Sequence, residues 1–323
     1  MREITYKEAI YEAMVEEMKK DLNLFLIGED VGKYGGEFRV SANMVDLFGV
    51  DRVRNAPISE QGQVGLGIGA SVTGCRAIVE ICFCDFMPMC ADQIVNQAAK
   101  FYYMFGGQAN VPMVIRSAIG GFIGGSEQHS QCLESWFTNV PGLKVCIPST
   151  PYDAKGLLKS AINDPNPVIF FEHKYLYPVK GPVPEEEFTI PIGVADVKRE
   201  GKDITLIATM YMVWKSLEVA EKLAKEGISV EVIDPRSLVP LDKETILNSI
   251  KKTGRAVIVN EAPVQGSTSG EFAAIIADEG FEYLETPIKR VGAKWAPIPN
   301  PSALENYVLP SNAEIESAIR QVI

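Results

Sequence analysis

The sequence predicts an α/β protein with two doubly wound, mainly parallel sheets. Three observations carry that expectation. Short apolar runs of strand length alternate with amphipathic stretches of helix length along the whole chain. A Pro- and Glu-rich stretch interrupts the alternation near residue 180. A length of 323 residues suffices for two domains, each burying its own core. The predicted division is residues 1–177, a connection over 178–192, and residues 193–323.

Taken in order, Thr5 and Glu8 form a capping-box pattern, and Ala9, Ile10, Ala13, Met14 and Met18 make the apolar stripe of the helix it starts. Leu24-Phe25-Leu26-Ile27 reads as a buried strand running into Gly28-Glu29-Asp30. A strand follows over 77–84, then a helix over about 91–104 with Ile94, Ala98 and Phe101 on one face. The strand at 112–116 leads to a glycine-rich loop at 120–125. Strands at 143–147 and 168–171 flank a helix that begins near Pro151. Between 177 and 192, Pro178, Pro182, Pro184 and Pro191 accompany Glu185, Glu186 and Glu187, which reads as a stiff, solvated connection. Strands then recur at 204–208, 229–233, 256–259 and 288–291, with helices at 212–225, 243–251, near 271–279 and after Ser311.

The composition, 46% apolar and 23% charged, is ordinary for a soluble globular chain. A net charge of −11 argues against nucleic acid or an anionic membrane as a main partner. Arg76 and Glu80 interrupt the best apolar run, and the N-terminus lacks the apolar core of a signal peptide. The expected location is cytoplasmic, or matrix-like after processing. Cys75, Cys82, Cys84, Cys90, Cys132 and Cys146 contain no C-x-x-C pair, with only two histidines to assist a metal, so they read as reduced and structural.

The most informative stretch is 55–62, Asn55-Ala56-Pro57-Ile58-Ser59-Glu60-Gln61-Gly62. Glu60 precedes an apolar run spaced by Gly62, Gly65, Gly67, Gly69 and Gly74. A Gly inside a helix costs about 0.5–1 kcal/mol relative to Ala, so this spacing points to close approach by another backbone or a ligand. A carboxylate at the mouth of such a helix sits in low dielectric, where its pKa rises and it can share a proton. The plain alternative is an acid capping a core helix. Gly65-Leu66-Gly67-Ile68-Gly69-Ala70 fits the G-x-G-x-x-A dinucleotide pattern, but no buried strand leads into it, and the match is rejected.

Ile58-Ser59-Glu60-Gln61-Gly62, Asp85-Phe86 and the run from Asp92 to Lys100 together resemble the β subunit of the E1 component of 2-oxoacid dehydrogenase complexes. Gln128-His129-Ser130-Gln131, Pro141-Gly142-Leu143-Lys144-Val145, Asp153-Ala154-Lys155-Gly156-Leu157-Leu158 and Asp234-Pro235-Arg236 continue the match in order along nearly the whole chain. Residues 148–187 look nearest to the acetoin dehydrogenase and bacterial pyruvate dehydrogenase type.

The resemblance implies a pyrimidine-binding domain for thiamine diphosphate followed by a transketolase C-terminal-like domain. It implies that Glu60 contacts the aminopyrimidine ring, where a carboxyl group sharing a proton with N1′ favours the tautomer whose 4′ nitrogen acts as a base. Phe86 would stack on that ring, with Cys82 and Ile58 supplying apolar contacts. His129 would handle a proton when the acyl unit passes to lipoamide, a step for which an imidazole suits neutral pH. Unaided, a Phe at a strand end is more often core, and a loop His is more often simply exposed. Ala161, Asp164 and Asn166 lie where the family has a structural potassium site; a helix-ending turn with Asn and Pro is the alternative. His173 reads as a strand-end residue.

The magnesium-diphosphate motif of thiamine enzymes begins Gly-Asp-Gly, and that triplet does not occur here. The resemblance therefore implies a partner α chain that holds Mg2+ and the diphosphate in an α2β2 assembly. A lipoyl-bearing E2 core would be the further partner, and a 2-oxoacid or acetoin the substrate. Gln63, Asn260, Trp295, Asn300 and Ser267-Thr268-Ser269 depart from the family's usual residues. Two other readings remain at this point: the C-terminal half of a split transketolase, and a non-catalytic paralogue serving as an interaction subunit.

Overall fold

Two α/β units account for the chain in the computed structural model, which describes residues 1–323. The first comprises Met1–Ile119 and Trp136–Ile192. Its strands are β1 (Arg2–Thr5), β2 (Leu24–Glu29), β3 (Val53–Ala56), β4 (Arg76–Phe83), β5 (Met113–Ile119), β6 (Lys144–Cys146), β7 (Val168–His173) and β8 (Lys180–Val183). Within this unit the sheet runs β6-β7-β5-β4-β2-β3, every pair parallel. The strands β2, β4, β5 and β7 are largely apolar and buried, as strands with helices on both faces must be. The helices of this half are α1 (Tyr6–Lys20), α2 (Met44–Phe48), α3 (Glu60–Val72), α4 (Ala99–Met104), the single turn α5 (Ser135–Thr138) and α6 (Pro151–Asn163).

The first helix starts as its sequence requires. Thr5 accepts from the Glu8 N–H while the Glu8 carboxylate accepts from the Thr5 N–H, a complete capping box. Its outer face meets α6 through ammonium groups that are themselves buried. Lys155 reaches Glu12 at 3.0 Å and Glu16 at 2.6 Å, and Lys159 reaches Glu16 and Glu187, each at 2.7 Å.

Two expectations need correction. The stretch 178–192 is not a solvated connection throughout, because β8 lies inside it and pairs antiparallel with β1, Arg2 opposite Val183 and Thr5 opposite Lys180. Pro182 is tolerated there because the ribbon has only two strands, so one side needs no ladder donor. Ile190 is buried as well, donating its N–H to the Gly156 carbonyl at 3.1 Å over the space a side chain on Gly156 would fill. The helix expected over 91–104 is also subdivided. A tight helical segment spans Cys84–Cys90, a wide π-helical one Gln93–Ala98, and only Ala99–Met104 is regular α. π-Turns collect at functional sites, and nothing in the local sequence marked this one.

Across the middle of the sheet Arg116 of β5 is almost wholly buried between Glu80 of β4 and Glu172 of β7. Its Nε and Nη2 donate to Glu172 at 2.6 and 2.9 Å, and its Nη1 donates to Glu80 at 2.7 Å. The Tyr177 hydroxyl donates to Glu172 at 2.9 Å.

The second unit comprises Gly193–Ile323 together with Gly120–Ser135, a loop that leaves the first unit's stretch of sequence. Its strands are β9 (Asp196–Arg199), β10 (Ile204–Ala208), β11 (Val230–Asp234), β12 (Ser237–Val239), β13 (Ala256–Pro263) and β14 (Lys289–Ala293). The sheet order is β14-β13-β10-β11-β9, parallel except for β9, which runs against β11. Helices α7 (Tyr211–Ala224), α8 (Lys243–Thr253), α9 (Thr268–Glu279), α10 (Ser302–Val308) and α11 (Asn312–Arg320) complete it. Leu206, Val232 and Val259 from the sheet pack with Val219 and Leu223 of α7 and Ile315 and Ile319 of α11.

Replacing Arg116 by Met strips two buried carboxylates of their common partner. The expected loss is about 3–5 kcal/mol in a urea unfolding curve at neutral pH. A loss below about 1 kcal/mol would mean that Glu80 and Glu172 simply take up protons instead.

Candidate active site

The carboxyl edge of the first unit's parallel sheet carries Glu60, Cys82 and Phe86, at the place where open parallel sheets bind ligands. Glu29 ends β2, and Glu60 opens α3 just after β3 and the turn Pro57-Ile58-Ser59. Cys82 lies next to the end of β4, and Phe86 sits in the tight helical segment that follows. Glu60 is only 8% exposed. Capping does not explain its burial, since Ser59 is the cap residue and Glu60 the first helical one. No group of this chain donates a hydrogen bond to its carboxylate.

Glu29 is the companion that the sequence reading passed over. Gln63, one turn along α3 and buried, donates from Nε2 to Glu29 Oε1 and to the Pro57 carbonyl, each at 3.2 Å. The Cys82 thiol lies 3.7 Å from Glu29 Oε2. Burial lifts the Glu29 pKa above the ordinary carboxylate value, Gln63's donor opposes the rise, and the charge of Glu60 adds to it. Burial and then the charges of Glu29 and Glu80 push the Cys82 thiol well up, so it is a neutral donor here and no nucleophile. Burial and the Glu60 charge likewise push Cys90 up to about 12. All six cysteines are free, as expected.

Phe86 is half-buried and meets Phe83 edge-on at 6.0 Å, and Phe83 in turn meets Phe38 at 5.5 Å. Ile58, by contrast, is 83% exposed. Helix α3 answers the glycine question only in part. A side chain at Gly67 would strike Val79 at 2.8 Å and Met113 at 3.1 Å, so that glycine lets the helix seat on the sheet. Gly65 and Gly69 face essentially open space on a surface that also presents Leu66 and Val72.

Asp164, Asn166 and Ala161 form the helix-ending turn. Lys144 pairs with one Asp164 oxygen, the Asn166 N–H bonds the other at 2.9 Å, and the Ala161 carbonyl accepts the Asp164 N–H at 3.2 Å. The charge of Asp164 is thus already matched by an ammonium.

His129 belongs to the second unit. It is half-buried in the glycine-rich loop, its N–H donating to the Ser126 carbonyl at 3.3 Å. Two residues that depart from the family's usual ones have clear partners. Gln63 holds Glu29, as described. Asn260 is buried; its amide nitrogen contacts Glu134 and Thr268 at 3.0 Å and Thr209 at 3.3 Å, and its oxygen takes the Ala262 N–H at 2.7 Å. Trp295 is 73% exposed and nothing in the structure explains it.

A parallel sheet with a buried acid at its carboxyl edge, followed by a second α/β unit, is matched along most of its length by two domains of transketolase. Residues 2–180 match the transketolase pyrimidine-binding domain and residues 193–315 the transketolase C-terminal domain. The chain is 46% identical to the acetoin:2,6-dichlorophenolindophenol oxidoreductase subunit beta of Bacillus subtilis, over 100% of this chain and 98% of that protein. It is 44% identical to the 2-oxoisovalerate dehydrogenase subunit beta of the same organism, over 100% and 99%. It is 42% identical to the pyruvate dehydrogenase E1 component subunit beta of Rhizobium meliloti, over 100% and 70%. A solved structure described as a split gene transketolase, inactive beta4 tetramer, aligns over 99% of this chain and 98% of that one, with a TM-score of 0.80 and 23% identity, which speaks to the fold. The chain belongs to the E1 β-subunit family of 2-oxoacid and acetoin dehydrogenases, and is an oxidoreductase subunit.

Glu29 supplies a prediction on stability. Its folded pKa is raised, so its contribution is full below the unfolded value, near 4.3, and is lost as pH rises through the folded one. Glu29→Gln should therefore raise the urea midpoint of the chain at pH 7. The gain should vanish as the pH approaches 4. Parallel midpoints across that range would mean that the carboxylate carries no burial cost.

Proposed function

We propose that this chain supplies the pyrimidine side of a thiamine diphosphate site in an α2β2 E1 enzyme. The enzyme cleaves a 2-oxoacid or acetoin and passes the acyl group to a lipoyl arm on an E2 core. The observation that carries this reading is Glu60: a buried carboxylate on the carboxyl edge, accepting no hydrogen bond from its own chain. A protonated ring nitrogen is the donor that such a group fits.

When bound, thiamine diphosphate supplies the nucleophilic carbon that the cleavage requires. This chain's residues prepare its ring. Glu60 would share a proton with the pyrimidine N1′, Glu29, fixed by Gln63, would stand beside it, and Phe86 would offer a ring face. The diphosphate and Mg2+ fall to a partner α chain, since Gly-Asp-Gly is absent. The exposed glycine and apolar face of α3, with Ile58, supports a partner chain seated there.

Nearly full-length identity of 42–46% with dehydrogenase β subunits favours this reading over a split transketolase. Intact Glu60, Phe86 and His129 speak against a non-catalytic paralogue. The substrate is decided by assaying the co-expressed α–β pair against pyruvate, branched 2-oxoacids and acetoin; ketol transfer between sugars without lipoamide would overturn the proposal.

Glu60→Gln should leave α–β assembly intact by size-exclusion chromatography and lower turnover by about 10²–10⁴-fold, the range of general acid–base help. Hydrogen exchange at the cofactor's thiazolium C2 should slow with it. Exchange within a few-fold of wild type would reduce Glu60 to a helix-terminal acid.

His129→Ala tests the transfer half-reaction. The departing lipoyl sulfur takes up a proton, which the imidazole can deliver. The substitution should slow acyl transfer to lipoamide by about 10²–10⁴-fold. It should do far less to oxidation by a one-electron dye, which needs no proton at sulfur. Equal falls in both rates would assign His129 to binding.

A further inference from the structure

The loop that carries His129 holds a backbone conformation that side chains resist. Gly120, Phe122, Gly124 and Ser126 have φ of 89°, 67°, 70° and 65°. Glycine accepts such angles freely, whereas a bulky Phe accepts them only where its surroundings over-determine them.

The surroundings here do so from within the second unit. The Gly121 N–H donates to Glu261 Oε1 at 2.6 Å, and the Gly124 N–H lies 3.2 Å from both oxygens of Glu305. Each carboxylate is only 3% exposed. Between these two bonds the Phe122 ring meets Tyr211 edge-on at 5.1 Å, and the Lys215 ammonium lies 4.8 Å from its centre. Gly121 has no room for a side chain, which would meet Leu309 at 2.7 Å. The base of the loop closes through the Gly120 N–H on the Gln131 carbonyl at 3.1 Å.

An ionised carboxylate only accepts, so it selects the peptide orientation that points an N–H at it. Two such acceptors, one on the amide of Gly121 and one on that of Gly124, fix the peptides that bracket Phe122 and Ile123 and so limit the path the loop can take between them. A helix-capping or surface-pairing role would not place two buried acids on amides three residues apart in one loop.

We infer that Glu261 and Glu305 are positioning residues: they clamp the amides of Gly121 and Gly124, and so set where the loop presents His129. The inference rests on the role proposed for His129 above.

The test uses the assembled α–β enzyme, with Glu305→Ala, Glu305→Gln, Glu261→Gln and His129→Ala. It follows amide hydrogen exchange over residues 120–131 and steady-state rates with lipoamide and with the one-electron dye. Glu305→Ala should speed exchange about tenfold or more and lower kcat with lipoamide by a similar factor, the worth of one hydrogen bond to a charged group. Lipoamide KM and the dye rate should stay within about threefold, the scatter expected of a change that touches neither binding nor ring chemistry. Glu305→Gln, which keeps an acceptor oxygen, should recover most of both losses. Unchanged exchange, equal falls with both acceptors, or no recovery by Gln each overturns the clamp. So does faster exchange with an undiminished lipoamide rate. If Glu305→Ala does not fold, Glu305→Ser, whose side chain is too short to reach the Gly124 amide, takes its place and must move exchange and lipoamide rate together. If His129→Ala itself transfers acyl groups normally, the reading of His129 fails. If His129→Ala is crippled and Glu305→Ala is not, the failure lies in the clamp alone.

Discussion

A single guanidinium underlies the edge on which the site is built. Arg116 binds carboxylates from the strands on either side of its own, β4 and β7, and Tyr177 extends the cluster beyond the sheet. It does not balance the charge it meets. Glu80 and Glu172 already exceed it by one, and Glu29 and Glu60 stand beyond them toward the strand ends. The excess shows in the titrating groups nearby: Glu80, Glu29 and Cys82 all have raised pKa values, with burial first and neighbouring carboxylates among the causes. Buried acids without enough counter-charge cost stability unless a cation or a proton donor joins them.

Much of this was legible in the sequence, and for identifiable reasons. Glu60 stood out because an acid before a glycine-spaced apolar run is locally inconsistent, and such inconsistencies tend to fall at functional sites. The capping box at Thr5 fixed one helix start, because that motif is local chemistry. Glu29 was passed over because its significance is not local. It ends an ordinary buried strand, and only the parallel register of β2 beside β4 brings it to Cys82. The available signal was its place as a carboxylate at the carboxyl end of a parallel strand. The ribbon of β1 and β8 was missed because it joins residues nearly the whole first unit apart, and the Pro-rich composition argued the other way.

The departures from the family's residues look different once their partners are known. Gln63 is an amide between two acceptors, the Glu29 carboxylate and the Pro57 carbonyl. It thereby ties the helix that carries Glu60 to the strand that carries Glu29, a link that needs an amide donor at that position. Asn260 spends its amide on Glu134, Thr209, Thr268 and the Ala262 N–H, a buried polar set drawn from four segments of the second unit. Such networks specify one arrangement because any slip leaves a buried group unbonded.

The two glycine-rich segments illustrate opposite uses of the residue. In the helix beginning at Glu60, Gly67 allows close seating on β4, while Gly65 and Gly69 face outward, where their cost of about 0.5–1 kcal/mol each returns nothing within the chain. The outer face of this helix thus carries a conformational cost that nothing within the chain offsets. In the loop bearing His129, the glycines instead permit angles that the chain itself enforces, through two buried acids and an aromatic anchor. Tolerance of strain there is a property of the second unit's own packing, whereas the exposed glycines of the helix have no counterpart within the chain. Disrupting the first should therefore alter the presentation of a side chain without loss of assembly, whereas filling Gly65 or Gly69 should cost assembly while sparing the fold of the free chain.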